Sequence, residues 1–484
     1  MSKLEVGTRV AISNKRGTVK FCGHLNEVDG GKDLWFGIDW DHAGEGKHDG
    51  SLKGVQHFKA RYPTSGSFVK ATQVQTGQKF METLKNHYFE LYNNVDNENG
   101  IQFVLKESAV SFENAFNMTA INLPTKLISC LEPDADQTFE KCTLLDLSCN
   151  LLQEWTEVFA TLKLFPALDS LNISLNVMQP IKSDMPMFQC QIKELILNDC
   201  HLDLETLASL ADYFPALETL RIMKNELDTL PSLNKFTKLK NLHAGNNPFN
   251  DFTKLYQLSS HPTLETLSLP NCGFKAIKIP EQPGFNSLQT LNLNENPLND
   301  WESINELGRL PCLTNFRSSG LYAGERGCQS YEILIAKLPH LNVLDSCTIT
   351  SSDRKECESF FVRHFSKDPL LNVHQADLDR LSILYPEQLQ PIPTRQIDSN
   401  SCTFTLKYNE QSIERTLLLN LSVRKLVTLA SRIFSFEPSS VRVLVQIFDD
   451  SYEILKWDSS TVLRAFEPQQ GCIIKFAKSM SNCY

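Results

Sequence analysis

Residues 46–50 read Gly46-Lys47-His48-Asp49-Gly50, with LWFGI at 34–38 before them and GSFV at 66–69 after them. Two short runs rich in aromatic and β-branched residues therefore flank a loop with a glycine at each end and a lysine inside. Outward from this loop the same texture holds over residues 6–74. Apolar runs at 18–21, 34–40 and 67–70 are punctuated by Gly30-Gly31, Gly44, Gly54 and Gly66. Short strands at close spacing with glycine turns predict a small β barrel or sandwich. Residues 1–76 carry 11 Lys+Arg against 8 Asp+Glu, a net +3, in a chain whose net charge is −10. A locally basic module in an acidic chain points to an acidic ligand for that module.

Residues 142–344 repeat the pattern L-x-x-L-x-L-x-x-N-x-L. One copy runs through Leu217, Leu220, Ile222, Asn225 and Leu227, and another through Leu288, Leu291, Leu293, Asn296 and Leu298. Cys200 and Cys272 stand where other copies have Asn. A period of roughly 25 residues lies in the leucine-rich-repeat range. The leucines point inward from a short strand, and the Asn or Cys bonds backbone where the chain leaves it. Stacked units then share one core that no single unit could bury. The residues between the leucines, among them Asn172, Glu194, Arg221, His243 and Asn292, line a mixed polar concave face that suits a protein partner. Residues 354–365 (RKECESFFVRHF) predict an amphipathic helix capping the end of the stack.

After a Pro-containing stretch at 389–401 come TFTLKY, IERTLLL, VRKLVTLASRIF, VRVLVQI, YEIL and GCIIKF. Two strands, a helix and further strands is the order of a ubiquitin-like β-grasp. The sequence closes SMSNCY without a Gly-Gly pair, so conjugation to a target is not expected. The expected division is a first domain at 1–76, and a connecting segment at 77–141 with room for a degenerate first repeat. The repeats and their cap follow at 142–366, then a linker at 367–401 and the β-grasp at 402–484. The fold class is multidomain: a small β-rich domain, an α/β leucine-rich-repeat solenoid and an α+β grasp.

The first region resembles the CAP-Gly domain, whose hallmark is a G-K-N-D-G loop between a W-V-G-V-like strand and a G-x-F-V strand. Gly7 and Gly17-Thr18-Val19 fit the family's opening pattern, and His48 departs from it where many members carry Asn. A histidine still donates a hydrogen bond, so the groove is expected to survive. The resemblance implies binding of C-terminal Glu-Glu-Tyr/Phe tails, including that of α-tubulin. The residue types suit that task. A buried carboxylate is costly unless donors meet it, and a loop whose glycines lack Cβ atoms can bring backbone N–H groups close. Lys47 supplies a compact cation. Trp35, Phe36 and Phe68 offer flat walls to a terminal ring, and Lys70 meets acidic residues upstream. The expected tail-binding residues are Trp35, Phe36, Gly46, Lys47, His48, Asp49, Gly50, Phe68 and Lys70. A glycine-rich loop alone is usually only a turn; the flanking strands in register favour a site here.

The order of the three regions resembles the tubulin-folding cofactor E family. That resemblance implies a chaperone that captures α-tubulin by tail and body and works with cofactors B, C and D on the α/β-tubulin dimer. The alternative is a CAP-Gly microtubule-associated adaptor with a protein-binding repeat face. Such adaptors usually carry long coiled coils or basic Ser-rich flanks, and neither is in this sequence.

Other classes find little support. Without a basic stripe a nucleic-acid partner is not expected. Without a run of about 18 to 20 apolar residues neither is a membrane span. The 14 cysteines show no C-x-x-C spacing, so no zinc cage is suggested. His24, His42, His48 and His57 fit no zinc pattern either. The start, MSKLEVGTRV, lacks the apolar stretch of a signal peptide. The expectation is a cytoplasmic protein, associated with the cytoskeleton, with reduced thiols. Gly44 to Lys47 superficially match a phosphate loop, but Asp41 stands where a glycine is needed and His48 where Ser or Thr is needed. No catalytic constellation stands out, so neither an enzyme nor a cofactor is expected.

Overall fold

The computed structural model describes residues 4–94, 116–131, 138–182, 185, 188–318, 330–366, 372–389, 401–446, 452–466, 468 and 471–478. The chain forms two compact units, Met1–Leu389 and Gln390–Tyr484. The Pro-containing stretch at 390–400 and the last six residues lie outside the described residues.

The first unit opens with a five-stranded sheet. Lys15–His24 is its long strand, paired antiparallel with Arg9–Ile12 on one side and Leu34–Trp40 on the other. Leu34–Trp40 pairs in turn with Gly66–Lys70. Period-two alternation decides what each strand buries. Phe36, Ile38 and Trp40 face inward with Val10 and Val19, while Trp35, Gly37 and Asp39 face the other way. Arg9 is buried within this sheet and forms a twin hydrogen bond to the Asp41 carboxylate at 2.5 and 2.6 Å.

The repeats then build an 11-stranded sheet, parallel from Ala120–Asn122 through Val343–Leu344 and closed by the antiparallel strand Cys347–Thr348. The strand Ala120–Asn122 lies before the first clear repeat and pairs in parallel with Leu144–Asp146. Each middle leucine of a strand, such as Leu171, Leu195, Leu220 and Leu242, is essentially inaccessible. The repeat asparagines form a ladder. Asn225 accepts from the Cys200 and Leu202 N–H groups at 2.9 and 3.3 Å and donates to the Leu197 carbonyl at 2.7 Å. Asn296 does the same for Cys272, Phe274 and Leu269. Each side chain thus satisfies backbone groups of the preceding repeat, where no regular ladder could reach them.

Both ends of the solenoid are capped. At the start, residues 77–100 carry no strong sequence signal, yet a helix begins at Phe80. Phe80, Met81 and Leu84 are buried, with Phe80 edge-on to Phe139 and Phe165. At the other end the helix Ser351–Phe365 contains the predicted segment, extended one turn by the Thr350–Asp353 capping box. A second helix, Asn372–Leu384, lies in the stretch expected to be linker. It packs Leu378 and Leu381 against Phe361, Phe365 and Ile333. Lys337, fully buried, fastens it with bonds to Asp377 at 2.8 Å and the Val373 carbonyl at 3.0 Å.

The second unit is a β-grasp. Its strand order is Gln411–Leu418, Ser401–Tyr408, Ile473–Lys478, Val441–Gln446, Tyr452–Lys456, with Ser401–Tyr408 and Ile473–Lys478 parallel. The helix Val423–Phe434 starts on a Ser422 cap and lays Val423, Leu426, Val427 and Ala430 on the sheet. Among the described residues no helix is long and apolar enough to cross a membrane.

Candidate functional site

The 46–50 loop is sewn onto the strand Gly66–Lys70. Gly46 N–H donates to the Thr64 carbonyl at 2.9 Å, and Lys47 N–H to the Gly66 carbonyl at 2.7 Å. Gly66 N–H returns a bond to the His48 carbonyl at 2.7 Å. Gly50 ends the loop at φ +99°, and a Cβ there would stand 1.9 Å from the Phe58 carbonyl oxygen. Only glycine fits that position.

Side chains then fix the loop from within. The His48 ring stacks on Phe68 with centroids 4.9 Å apart and planes 27° apart. Its Nδ1 accepts the Gly50 N–H at 3.0 Å. Burial lowers the His48 pKa below its usual 6.5, and the Asp49 charge opposes this while the Lys47 charge adds to it. The ring is therefore neutral near pH 7, with its proton on Nε2. Phe68 also meets Phe21, His57 and Phe58 edge-on, at 5.9, 5.5 and 5.5 Å. An aromatic wall held from several sides loses little freedom when a ligand ring lands on it.

A groove of about 670 Å³ runs beside the loop. Trp35, Lys47, His48 and Phe68 line it together, as the sequence suggested. Lys47 is exposed there and makes no ion pair among the described residues. Three other expected residues sit differently. Phe36 is 3% exposed and belongs to the core behind the sheet, because it alternates with Trp35 along one strand. It is not a groove wall. Asp49 turns away to accept from Ser51, at 3.0 Å from the N–H and 2.5 Å from the hydroxyl, and those bonds lower its pKa. Its role is to hold the turn. Lys70 is engaged with Asp33 at 2.5 Å and lies 5.4 Å from the centre of the Trp35 ring. It braces Trp35 and stands outside the groove lining.

The groove also takes residues that the sequence reading missed. Ile12, Asn14, Lys15 and Val69 line it. Lys15 opens its strand directly after the Ser13-Asn14 hairpin turn, and its Nζ reaches the Glu45 carbonyl at 2.6 Å. Ser-Asn-Lys between two apolar runs is a turn signal that could have placed a second cation at this mouth. The N–H groups of Gly46, Lys47, His48 and Gly50 are all taken up within the protein, so it is the apolar walls, the His48 ring and two lysines that can together hold an anionic chain end that carries a ring.

The CAP-Gly domain family matches residues 6–74. Over 384 residues the chain is 30% identical to tubulin-specific chaperone E of Mus musculus, which covers 75% of this chain and 72% of that protein. It is 29% identical over 289 residues to tubulin-folding cofactor E of Arabidopsis thaliana, covering 54% of this chain and 53% of the other. Among solved structures, the Bik1 CAP-Gly domain with an ETF peptide from Bim1 is 33% identical, over 14% of this chain and 78% of that one, at TM-score 0.13.

Proposed function

Because the chain belongs to the tubulin-specific chaperone E family, we propose that it is a tubulin-folding chaperone that captures α-tubulin through the acidic, aromatic-ended C-terminal tail. The carrying observation is that Trp35, Phe68, Lys47 and His48 converge on one groove. The tail's terminal ring lies between Trp35 and Phe68. Its carboxylate meets the His48 Nε2–H and Lys47. Lys15 takes the place first assigned to Lys70 and meets the acidic residues upstream. Lys70 acts one step removed, by holding Trp35.

Capture of a tail is binding, not catalysis, and the tail says nothing about the fold of the protein that bears it. The repeat array is the part large enough to cover a folded subunit, and its polar concave face suits one. In this reading the repeats and the β-grasp act on the tubulin body during assembly or dissociation of the α/β dimer, together with cofactors B, C and D, in the cytoplasm.

The test is to mix the full chain with soluble tubulin dimer and separate the products by size-exclusion chromatography. A complex with tubulin, lost in Lys47→Ala, supports the chaperone. Co-sedimentation with polymer alone, without a soluble complex, would favour an adaptor on microtubules and overturn this reading.

A further inference from the structure

The groove-bearing sheet is joined to the repeats by a single residue. Gln75–Thr76 closes that sheet against Arg9–Ile12, and Gln78–Lys79 is already paired with Ile128–Cys130 of the repeat unit. Gly77 alone lies between. A Cβ on it would stand 1.8 Å from Ser129 Oγ and 2.1 Å from Ser129 Cβ, so the backbone is pressed against the repeats at this point. Phe80 follows at 1% exposure in the solenoid core. No slack is available for the first sheet to swing on.

A second attachment lies elsewhere on the same sheet's loops. Arg61 pairs with Glu226 at 2.8 Å, and the Tyr62 hydroxyl donates to the other Glu226 oxygen. Glu226 sits at φ +59° directly after Asn225, whose side chain is locked in the repeat ladder. Arg61 is aimed in turn by Asp39, which accepts its N–H at 3.1 Å. Burial, followed by the Arg61 charge, lowers the pKa of His201 on the preceding repeat turn to about 4. The covalent link at Gly77 and the polar Arg61–Glu226 anchor, whose partners lie 165 residues apart along the chain, together fix the orientation.

We propose that Gly77 and Glu226 hold the tail groove and the repeat array as one rigid footprint, made for a folded protein that presents an acidic, aromatic-ended C-terminal tail and its own body together. This rests on the tail-binding reading above. A flexible link would let the second contact form only from a fraction of its orientations, whereas a fixed link sets a high effective concentration of body beside repeats. A free tail engages the groove alone and gains nothing from the fixed link.

The experiment compares three full-length proteins: the wild type, Glu226→Ala, and a variant with about 12 Gly and Ser residues inserted after Gly77. Each is titrated calorimetrically with a synthetic peptide ending Glu-Glu-Tyr and, separately, with intact tubulin dimer. The peptide is expected to bind all three equally. Dimer affinity is expected to fall about tenfold or more in the insertion variant and by a smaller factor in Glu226→Ala. Equal dimer affinity in all three, with peptide binding intact, overturns the rigid footprint and leaves the tail reading standing. Failure of the wild type to bind the peptide overturns both. If the insertion variant does not fold, Glu226→Ala decides by the same ratio of dimer to peptide affinity.

Discussion

His48 and Phe68 stack at 4.9 Å while the His48 Nδ1 holds the Gly50 N–H at 3.0 Å. One ring thus ties the anion-facing loop to the aromatic wall beside it. A histidine does here what a shorter amide could do, with the ring face added.

This latch is sensitive to acid. Burial places the folded-state pKa of His48 below its usual 6.5. A lowered histidine pKa contributes stability that is full above about pH 6.5 and is lost as pH falls through the folded value. Once protonated, Nδ1 can no longer accept from Gly50. Hydrogen exchange of residues 46–50, corrected for intrinsic rate, is expected to be flat above pH 6.5 and to lose protection below it. His48→Asn removes the change, because an amide does not titrate.

The two lysines first assigned to the site separate cleanly. Lys47→Ala is expected to weaken tail binding by about 1.5–3 kcal/mol, the worth of a charge-assisted hydrogen bond. Lys70→Ala removes an exposed ion pair with Asp33 and a brace on Trp35, an effect of about 1 kcal/mol or less. Calorimetry on both variants checks the order; a larger loss for Lys70→Ala would put that residue back among the ligand contacts.

The asparagine ladder sets the stability of the repeats. Asn225→Ala leaves the Cys200 N–H and the Leu197 carbonyl unpaired inside the solenoid. Asn296→Ala does the same to Cys272 and Leu269. Each is expected to cost about 1–3 kcal/mol, read as a lower unfolding midpoint in urea. Unchanged midpoints in both would contradict the ladder.

The C-terminal cap hangs on Lys337. Replacing it by Ala removes the 2.8 Å bond to the largely buried Asp377, which keeps only the longer contact to Arg380 at 3.3 Å, and also removes the bond to the Val373 carbonyl. Losing a buried, charge-assisted hydrogen bond of this kind costs about 1.5–3 kcal/mol. Limited proteolysis is expected to cut within 372–389 in Lys337→Ala well before the wild type is touched.

What the sequence revealed, and what it hid, follows from how far each signal reaches. Leucine and asparagine spacing is local and repeated, so the solenoid and its ladder were legible. So was the β-grasp, from the order of its strands and helix. Phe36 was misplaced although the answer lay in strand parity: Trp35 and Phe36 are neighbours on one strand and cannot both face a groove. The Lys70–Asp33 and Arg61–Glu226 pairs join residues far apart in sequence, and nothing local announces them. The helix Asn372–Leu384 buries positions 374, 377, 378 and 381, at helical spacing. Two of them are His374 and Asp377, so an apolar count over that stretch falls short. The buried cation that makes Asp377 tolerable stands on another helix, at Lys337.

The most direct measurement is calorimetric titration of the full chain with two synthetic peptides, one ending Glu-Glu-Tyr and the other lacking only that tyrosine. The groove between Trp35 and Phe68 predicts clear binding of the first peptide and a loss of at least about tenfold for the second, since a buried aromatic ring contributes well over 1.4 kcal/mol. The first should weaken with added salt, as attraction between exposed charges does. Equal affinity for the two peptides would contradict the account.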